Sequence, residues 1–423
     1  MLTALLACCL PLADERPNII VIVADDLGYG STGIYGEKEI PTPNIDSIAK
    51  NGARMTDGYV TCPVCSPTRA GLMTGRYQQR FGHEFNPGPQ QSASSKFGLD
   101  KNETTMPQEL AKAGYRTGMV GKWHLGYADG LMPTDRGFGS FYGFLGGAHG
   151  YTVRQNTGGI YRDKKEEKPG EYLTDAFARE AVSFIEKKSS SPYFLYLAFN
   201  AVHSPLQAPP KYTNLFDKLD GKRKTFAAME AALDAAVGRI LETVRKKGEE
   251  EKTLIFFISD NGGPTPQTTS KNDPLRGTKG QVLEGGIRVP FMVQWKGKVK
   301  PGTVVSQPVV SLDIFPTVLE VAKVPGQKKT LEGRTLMPTI GGLKDTNRAI
   351  FWRFGEQWAV RQGDWKLLSR GGVQELYNLK ADIGESKNLA PANPTKAAEL
   401  KKLYDAWNKN NVPAKWKRGE DGD

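Results

Sequence analysis

Residues 17–26 read Pro-Asn-Ile-Ile-Val-Ile-Val-Ala-Asp-Asp. From Ile19 to Val23 every side chain is apolar and β-branched. A strand with one face in water alternates apolar and polar residues. An unbroken run instead predicts a strand covered on both faces, as inside a parallel sheet. Tyr193–Ala198 and Leu254–Ser259 have the same character, and Phe291–Trp295 is a shorter candidate. Helical periodicity fills the intervals. Pro43 suits a first helical turn, with Thr42 as cap and Gly52 as stop. Phe177, Ala181, Phe184 and Ile185 make one apolar helix face. Phe226, Met229, Leu233, Val237, Ile240, Leu241 and Val244 make a longer one. Strands alternating with helices predict an α/β sheet with helices on both faces.

After about residue 325 the pattern changes. Ile350–Phe354, Trp358–Arg361 and Trp365–Leu368 are short and separated by glycine-containing turns, which predicts an antiparallel meander. A last helix is expected at Pro394–Asn408. The expected organisation is a leader over 1–15, an α/β catalytic domain over 16–325 and a small α+β subdomain over 326–423. Gln90–Lys96, Arg162–Gly170 and Lys271–Lys279 read as polar loops that rim a site. The charged tail Lys415–Asp423 reads as disordered.

The first strand ends in Asp25-Asp26 and another in Asp260-Asn261-Gly262-Gly263. In open α/β sheets, ligands bind beyond the carboxyl ends of the strands. Alone, Asp-Asp is often a solvated loop pair and Asn-Gly merely a turn. Together the two ends offer three carboxylates and an amide oxygen. These are hard ligands that suit Ca²⁺ or Mg²⁺, not zinc.

Residues 65–76 read Cys-Ser-Pro-Thr-Arg-Ala-Gly-Leu-Met-Thr-Gly-Arg. Pro67 fits a first helical turn, and Ala70, Leu72 and Met73 continue it. That places Cys65 at a helix N-terminus, where free N–H groups favour an anion. Cys62-x-x-Cys65 could also be a redox pair or half a zinc site. The only other cysteines, Cys8 and Cys9, lie in the leader, so no second pair outside it completes a zinc site. Cys62 reads as buried and inert. The Cys65-x-Pro67-x-Arg69 core with its Thr74-Gly75-Arg76 close resembles the signature of the type I sulfatases, members of the alkaline-phosphatase-like superfamily. Thr68 stands where that family more often has Ser.

The resemblance extends along most of the chain. Gly121-Lys122-Trp123-His124 is similar to a family motif, as are Val202-His203-Ser204-Pro205 and Gly277-Thr278-Lys279 followed by Glu284-Gly-Gly-Ile-Arg-Val-Pro290. So are Arg361-Gln-Gly-Asp-Trp-Lys366 and Glu375-Leu-Tyr-Asn-Leu379, although Ile383 replaces a usual Pro. Gln78–Phe85 resembles bacterial polysaccharide and N-acetylgalactosamine-sulfate sulfatases.

The family implies an alkaline-phosphatase-like mixed sheet with a small C-terminal antiparallel sheet. It implies hydrolysis of sulfate esters by a formylglycine that a maturase makes from Cys65. It implies one cation, usually Ca²⁺ with Mg²⁺ the alternative, held by Asp25, Asp26, Asp260, Asn261 and residue 65. Arg69 and Lys122 would hold the modified residue and the developing charge. His203 is expected as general acid with Lys279 helping, and His124 as the base that frees sulfate. Arg288 reads as structural. His83 and His149 carry no family role, though His149 could touch substrate.

The chain has 423 residues and a net charge of +11. No basic helix, zinc finger or aromatic-basic interleaving accompanies that charge, so nucleic acid is not the expected partner. A sulfated carbohydrate fits the sign. Leu2–Leu12 is nearly all apolar and too short to span a membrane. It reads as a secretion leader, and Leu5-Leu6-Ala7-Cys8 resembles a lipoprotein box that would make Cys8 a lipid anchor. Export to the bacterial periplasm, outer surface or medium is the expectation. The alternatives are a phosphodiester or phosphonate hydrolase of the same superfamily and a non-catalytic sulfated-glycan-binding protein.

Overall fold

The β-branched run does sit at the centre of a sheet. Ten strands lie in the order Thr303–Val305, Ala53–Met55, Phe291–Gln294, Thr253–Ser259, Asn18–Ala24, Tyr193–Ala198, Arg116–Lys122, Ser140–Phe144, Ile160–Arg162 and Lys165–Glu167. The five strands from Thr253–Ser259 to Ser140–Phe144 all run parallel, and Phe291–Gln294 runs against them. The computed structural model describes residues 15–87, 97–152, 159–168, 170–325, 330–345 and 347–417. Cys8, nearly all of the leader and the Gln90–Lys96 loop lie outside the described residues.

Alternate side chains of the first strand go to opposite faces. Ile20 and Ile22 join a core with Phe177, Ala181, Phe226, Leu233 and Val237 from the helices Leu173–Glu186 and Gly221–Lys246. Ile19, Val21 and Val23 join a second core with Ala70, Leu72 and Met73 of the helix Cys65–Thr74 and with Phe315 and Val318. Truncating any such isoleucine to alanine costs about 2–5 kcal/mol. Each face therefore contributes to holding the strand whose end carries Asp25.

The C-terminal meander has four strands, Ala349–Phe354, Gln357–Gln362, Trp365–Arg370 and Val373–Asn378, with the helix Pro394–Asn408 across it. It docks on the large unit through Trp352, Leu367, Leu376, Tyr59 and Ile287. A buried ionic cluster reinforces that contact. Lys366 Nζ lies 2.8 Å from Glu284 Oε1 and 2.9 Å from Glu385 Oε1. Arg288 bridges Glu284 and Asp57 at 3.2 and 3.0 Å, and Arg361 lies 2.6 Å from Asp57.

Several expectations need correction. Thr42 stands at an N-cap, but its hydroxyl accepts from Gly33 N and donates to the Asp46 side chain, and it takes no helix N–H. Asp234 Oδ1 takes the Ile45 N–H at 2.8 Å in its place. The strand at Phe291 stops at Gln294, and Trp295 turns its Nε1 onto Glu251 O. Arg162–Gly170 does not form a rim loop. Ile160–Arg162 and Lys165–Glu167 make a hairpin at the far sheet edge, where Arg162 pairs with Glu167 and Glu180. The tail is ordered as far as Lys417, because Trp416 is buried and its Nε1 donates to Asn86 O at 2.6 Å. The remainder, 418–423, lies outside the described residues.

Candidate active site

The carboxyl ends of the central strands deliver most of the predicted residues to one place. Ala24 leads into Asp25 and Asp26, Ser259 into Asp260 and Asn261, Lys122 into His124, and Ala198 into the segment ending at His203. Opposite them, the helix that begins at Cys65 points its N-terminus at the same point. The Lys271–Lys279 loop also packs there, since Gly30 N donates to Lys271 O at 2.9 Å. The hydroxyl of Ser270 accepts Gly28 N at 2.8 Å and donates to Asp26 O at 3.1 Å.

Carboxylates and cations alternate around Cys65. Its Sγ lies 3.6 Å from Asp25 Oδ1. Lys122 Nζ donates to Asp25 Oδ2 at 2.7 Å, and both side chains are fully buried. Arg69 gives Nε and Nη2 to Asp260 Oδ2 at 3.0 and 2.7 Å, and Nη1 to Lys122 O at 2.9 Å. Lys279 Nζ reaches Asp26 Oδ1 at 2.9 Å. Asn261 Nδ2 donates to the same oxygen at 2.7 Å. His203 Nε2 stands 3.6 Å from Asp26 Oδ2, while its Nδ1 lies 2.6 Å from Ser204 O. That carbonyl fixes the proton on Nδ1, so Nε2 faces the site.

Asp26 (φ 62°) and His124 (φ 58°) both occupy the left-handed region, which non-glycine residues rarely adopt and which clusters at functional sites. Two partly independent contacts hold the His124 backbone: its N–H on Leu145 O at 3.1 Å and the Ser66 hydroxyl on its carbonyl at 2.5 Å. Its ring packs on Gly147, where any Cβ would come within 2.6 Å of Cε1 and Nε2.

The adjacent aspartates respond oppositely to this field. Burial, then the neighbouring Asp260, pushes Asp25 up to about 7 despite Lys122 and Arg69. Burial also opposes ionisation of Asp26, but Lys279, His203 and Lys122 together hold it well below the usual carboxylate range. Burial pushes the Cys65 thiol up to about 12 even beside Lys122 and Lys279. Burial lowers His203 to about 3, and the surrounding lysines add to that. Burial and the cations of Lys122 and Arg69 lower His124 as well. At neutral pH the free site thus holds a neutral thiol, two neutral imidazoles and a charged Lys279.

The donor set fits a hard cation. Asn261 Oδ1 is buried without a hydrogen-bond partner among the described residues, and a cation would satisfy it. Burial, then Asp260, disfavours the charged form of Asp25, and a cation beside it would restore that form. Ligand atoms of Asp25, Asp26, Cys65 and His203 lie within 4.8 Å of one another. His203 is thus within range although the sequence did not suggest it. Asp260 is the most committed of the expected ligands, because Arg69 takes Oδ2 and Asp26 N takes Oδ1 at 3.2 Å.

The sequence did not point to Ser66, Ser270, Asn86 or Tyr151 as site-building residues. Tyr151 OH anchors the 200–203 segment through Asn200 O and His203 O. The Thr68 hydroxyl donates to Cys62 O at 2.8 Å, a contact that a serine hydroxyl can also make. His149 is buried against Phe144, with its Nδ1 on Gly150 O at 2.6 Å.

A buried cluster of alternating carboxylates and cations at the carboxyl ends of the sheet is an arrangement suited to binding an anionic ester. The sulfatase family model matches residues 17–324, and the model for the N-sulphoglucosamine sulphohydrolase C-terminal region matches 278–410. The chain is 33% identical to dog (Canis lupus familiaris) N-acetylgalactosamine-6-sulfatase over 84% of its own length and 72% of the relative's. It is 32% identical to human arylsulfatase A over 94% and 89%. The crystal structure of Ps i-CgsB in complex with k-i-k-neocarrahexaose superposes with a TM-score of 0.90 at 35% identity, covering 95% of this chain and 94% of that one. The chain belongs to the sulfatase family and is a sulfuric ester hydrolase. Among the described residues no helix is long and apolar enough to cross a membrane.

Proposed function

We propose that the protein hydrolyses sulfate esters on sulfated carbohydrates, with residue 65 as formylglycine and Ca²⁺ held by Asp25, Asp26, Asp260 and Asn261. The observation that carries this reading is the state of Cys65. The thiol faces Asp25 at 3.6 Å and burial pushes it up to about 12. It is therefore a poor thiolate nucleophile in a site otherwise built to receive an anion. When present, the modified residue and the cation would supply an oxygen nucleophile for sulfur and a Lewis acid for the sulfate oxygens.

The chain's own residues do the rest. Arg69 and Lys122 fix the carboxylates and neutralise the charge that develops on the sulfate. Lys279 brings a further positive charge to the sulfate. The negative charge of a bound sulfate ester raises His203 and favours a proton on Nε2, which His203 donates to the alcohol oxygen as S–O breaks, with Lys279 assisting. His124 takes the proton whose loss frees inorganic sulfate. A maturase acting on Cys65 and export from the cytoplasm belong to the same proposal, as does the division at residues 325 and 326. The net charge of +11 suits a polyanionic substrate.

A panel of sulfated galactose, N-acetylgalactosamine, glucosamine and algal oligosaccharides tests the substrate class. Turnover of one or more is expected. A faster reaction with a phosphate diester than with every sulfate would overturn the reading.

A further inference from the structure

His124 differs from His203 in how it is held. The Nδ1 of His203 rests on a carbonyl, whereas the Nδ1 of His124 is buried without a hydrogen-bond partner among the described residues. No hydrogen bond at Nδ1 therefore aims the His124 ring. Its direction is set by packing on Gly147 and by its own left-handed backbone, and the carbonyl of that backbone is held by Ser66 Oγ at 2.5 Å.

Ser66 is itself pinned. Its single hydroxyl proton goes to the His124 carbonyl, so the oxygen must accept from His83 Nε2, 2.6 Å away. Its backbone N–H goes to Asn86 Oδ1 at 3.2 Å. Both arms end on Trp416, in the C-terminal strap of residues 412–417. The Trp416 ring meets His83 edge-on at 4.9 Å, and Trp416 Nε1 donates to Asn86 O at 2.6 Å. The strap is tied to the same loop by Lys415 N on Gly82 O at 2.9 Å and Val412 N on Gln79 O at 3.0 Å.

We infer that His83 is a positioning residue that acts through Ser66 on the backbone of His124, and that Trp416 locks it. It touches neither Cys65 nor the cation-binding set in the contacts described above. The inference rests on the proposed role of His124 in freeing sulfate, and it makes the C-terminal strap part of the aiming device. Backbone control of this kind is sensitive, because small misplacements of a catalytic group cost rate more than binding.

The test compares His83→Leu, His83→Gln and Trp416→Phe in the full-length, formylglycine-containing enzyme, with rates normalised to the formylglycine content measured by peptide mass. Glutamine keeps an N–H donor near the Nε2 position, and leucine does not. With nitrophenyl sulfate, His83→Leu should lower kcat roughly 10- to 100-fold, as loss of an outer-shell partner typically does, with KM falling alongside it and kcat/KM nearly unchanged. Nitrophenol should then appear in a burst ahead of inorganic sulfate. His83→Gln should recover most of kcat and abolish the burst. Trp416→Phe should fall between the two. The inference is overturned if His83→Leu matches the wild type, if it raises KM alone, or if His83→Gln at wild-type melting temperature is as slow as His83→Leu. Wild-type enzyme that fails to turn over any sulfate ester would overturn the proposed function along with it.

Discussion

Replacing Lys366 by Met removes one cation from a sealed cluster that joins the C-terminal sheet to the helix Glu284–Ile287. Lys366 is fully buried, with Nζ 2.8 Å from Glu284 Oε1 and 2.9 Å from Glu385 Oε1. Three cations (Arg288, Arg361, Lys366) face three anions (Asp57, Glu284, Glu385) in it. Methionine nearly conserves the volume, so packing is retained and the loss is electrostatic. Leaving a buried carboxylate unpaired costs about 3–5 kcal/mol. Protonation limits that loss. Burial already raises Glu385, with Glu284 adding to it, and without Lys366 it rises further. A carboxyl whose folded pKa is raised contributes stability below its unfolded pKa and loses it as pH climbs through the folded one. The penalty should therefore shrink as pH falls towards 4.5, the ordinary glutamate value, and grow as pH rises through the folded value. Urea unfolding of wild type and Lys366→Met at pH 5 and pH 7.5, followed by tryptophan fluorescence, reads both quantities. A loss below about 1 kcal/mol at pH 7.5, or one that does not shrink at pH 5, would refute the reasoning.

The other expectations concern the site. His203→Ala should slow hydrolysis of a sugar sulfate by roughly 10²–10⁴-fold but affect nitrophenyl sulfate far less, because nitrophenolate leaves without a proton. Equal losses on both substrates would pass the acid role to Lys279. Asn261→Ala and Asp26→Asn should both lower the cation content measured by elemental analysis and reduce activity with it. Chelation of the wild type should lower its melting temperature, and added Ca²⁺ should restore it. An unchanged melting temperature after complete chelation would count against a resident cation.

Much of this molecule is visible in the chain because the informative signals are local. The run Ile19–Val23 needs both faces covered whatever lies beyond it, and it lies at the sheet centre with alternate residues in separate cores. Strand-end aspartates followed directly, and so did the helix opening at Cys65. Less local features were not legible. Ser140–Phe144 carries Gly143 and only short apolar stretches, and it becomes a strand through parallel pairing with Arg116–Lys122. The Arg162–Glu167 hairpin reads as loop because its charges pair across the turn and with Glu180, not with the core. Trp416 was hidden among lysines, since its burial depends on the 79–86 loop more than 300 residues earlier. His83 could not be placed for the same reason: its partner Ser66 looks unremarkable until the helix N-terminus, the His124 carbonyl and the strap converge on it.

The central claim is that residue 65 works as formylglycine and not as a thiol. Peptide mass spectrometry over residues 65–76 of enzyme co-expressed with a maturase, alongside sulfatase assays of the same preparation and of Cys65→Ala, tests it most directly. The account predicts an aldehyde mass at residue 65, activity that scales with its fraction, and a folded but inactive Cys65→Ala protein. Full activity in a preparation whose residue 65 is entirely cysteine, or in Cys65→Ala, would contradict it.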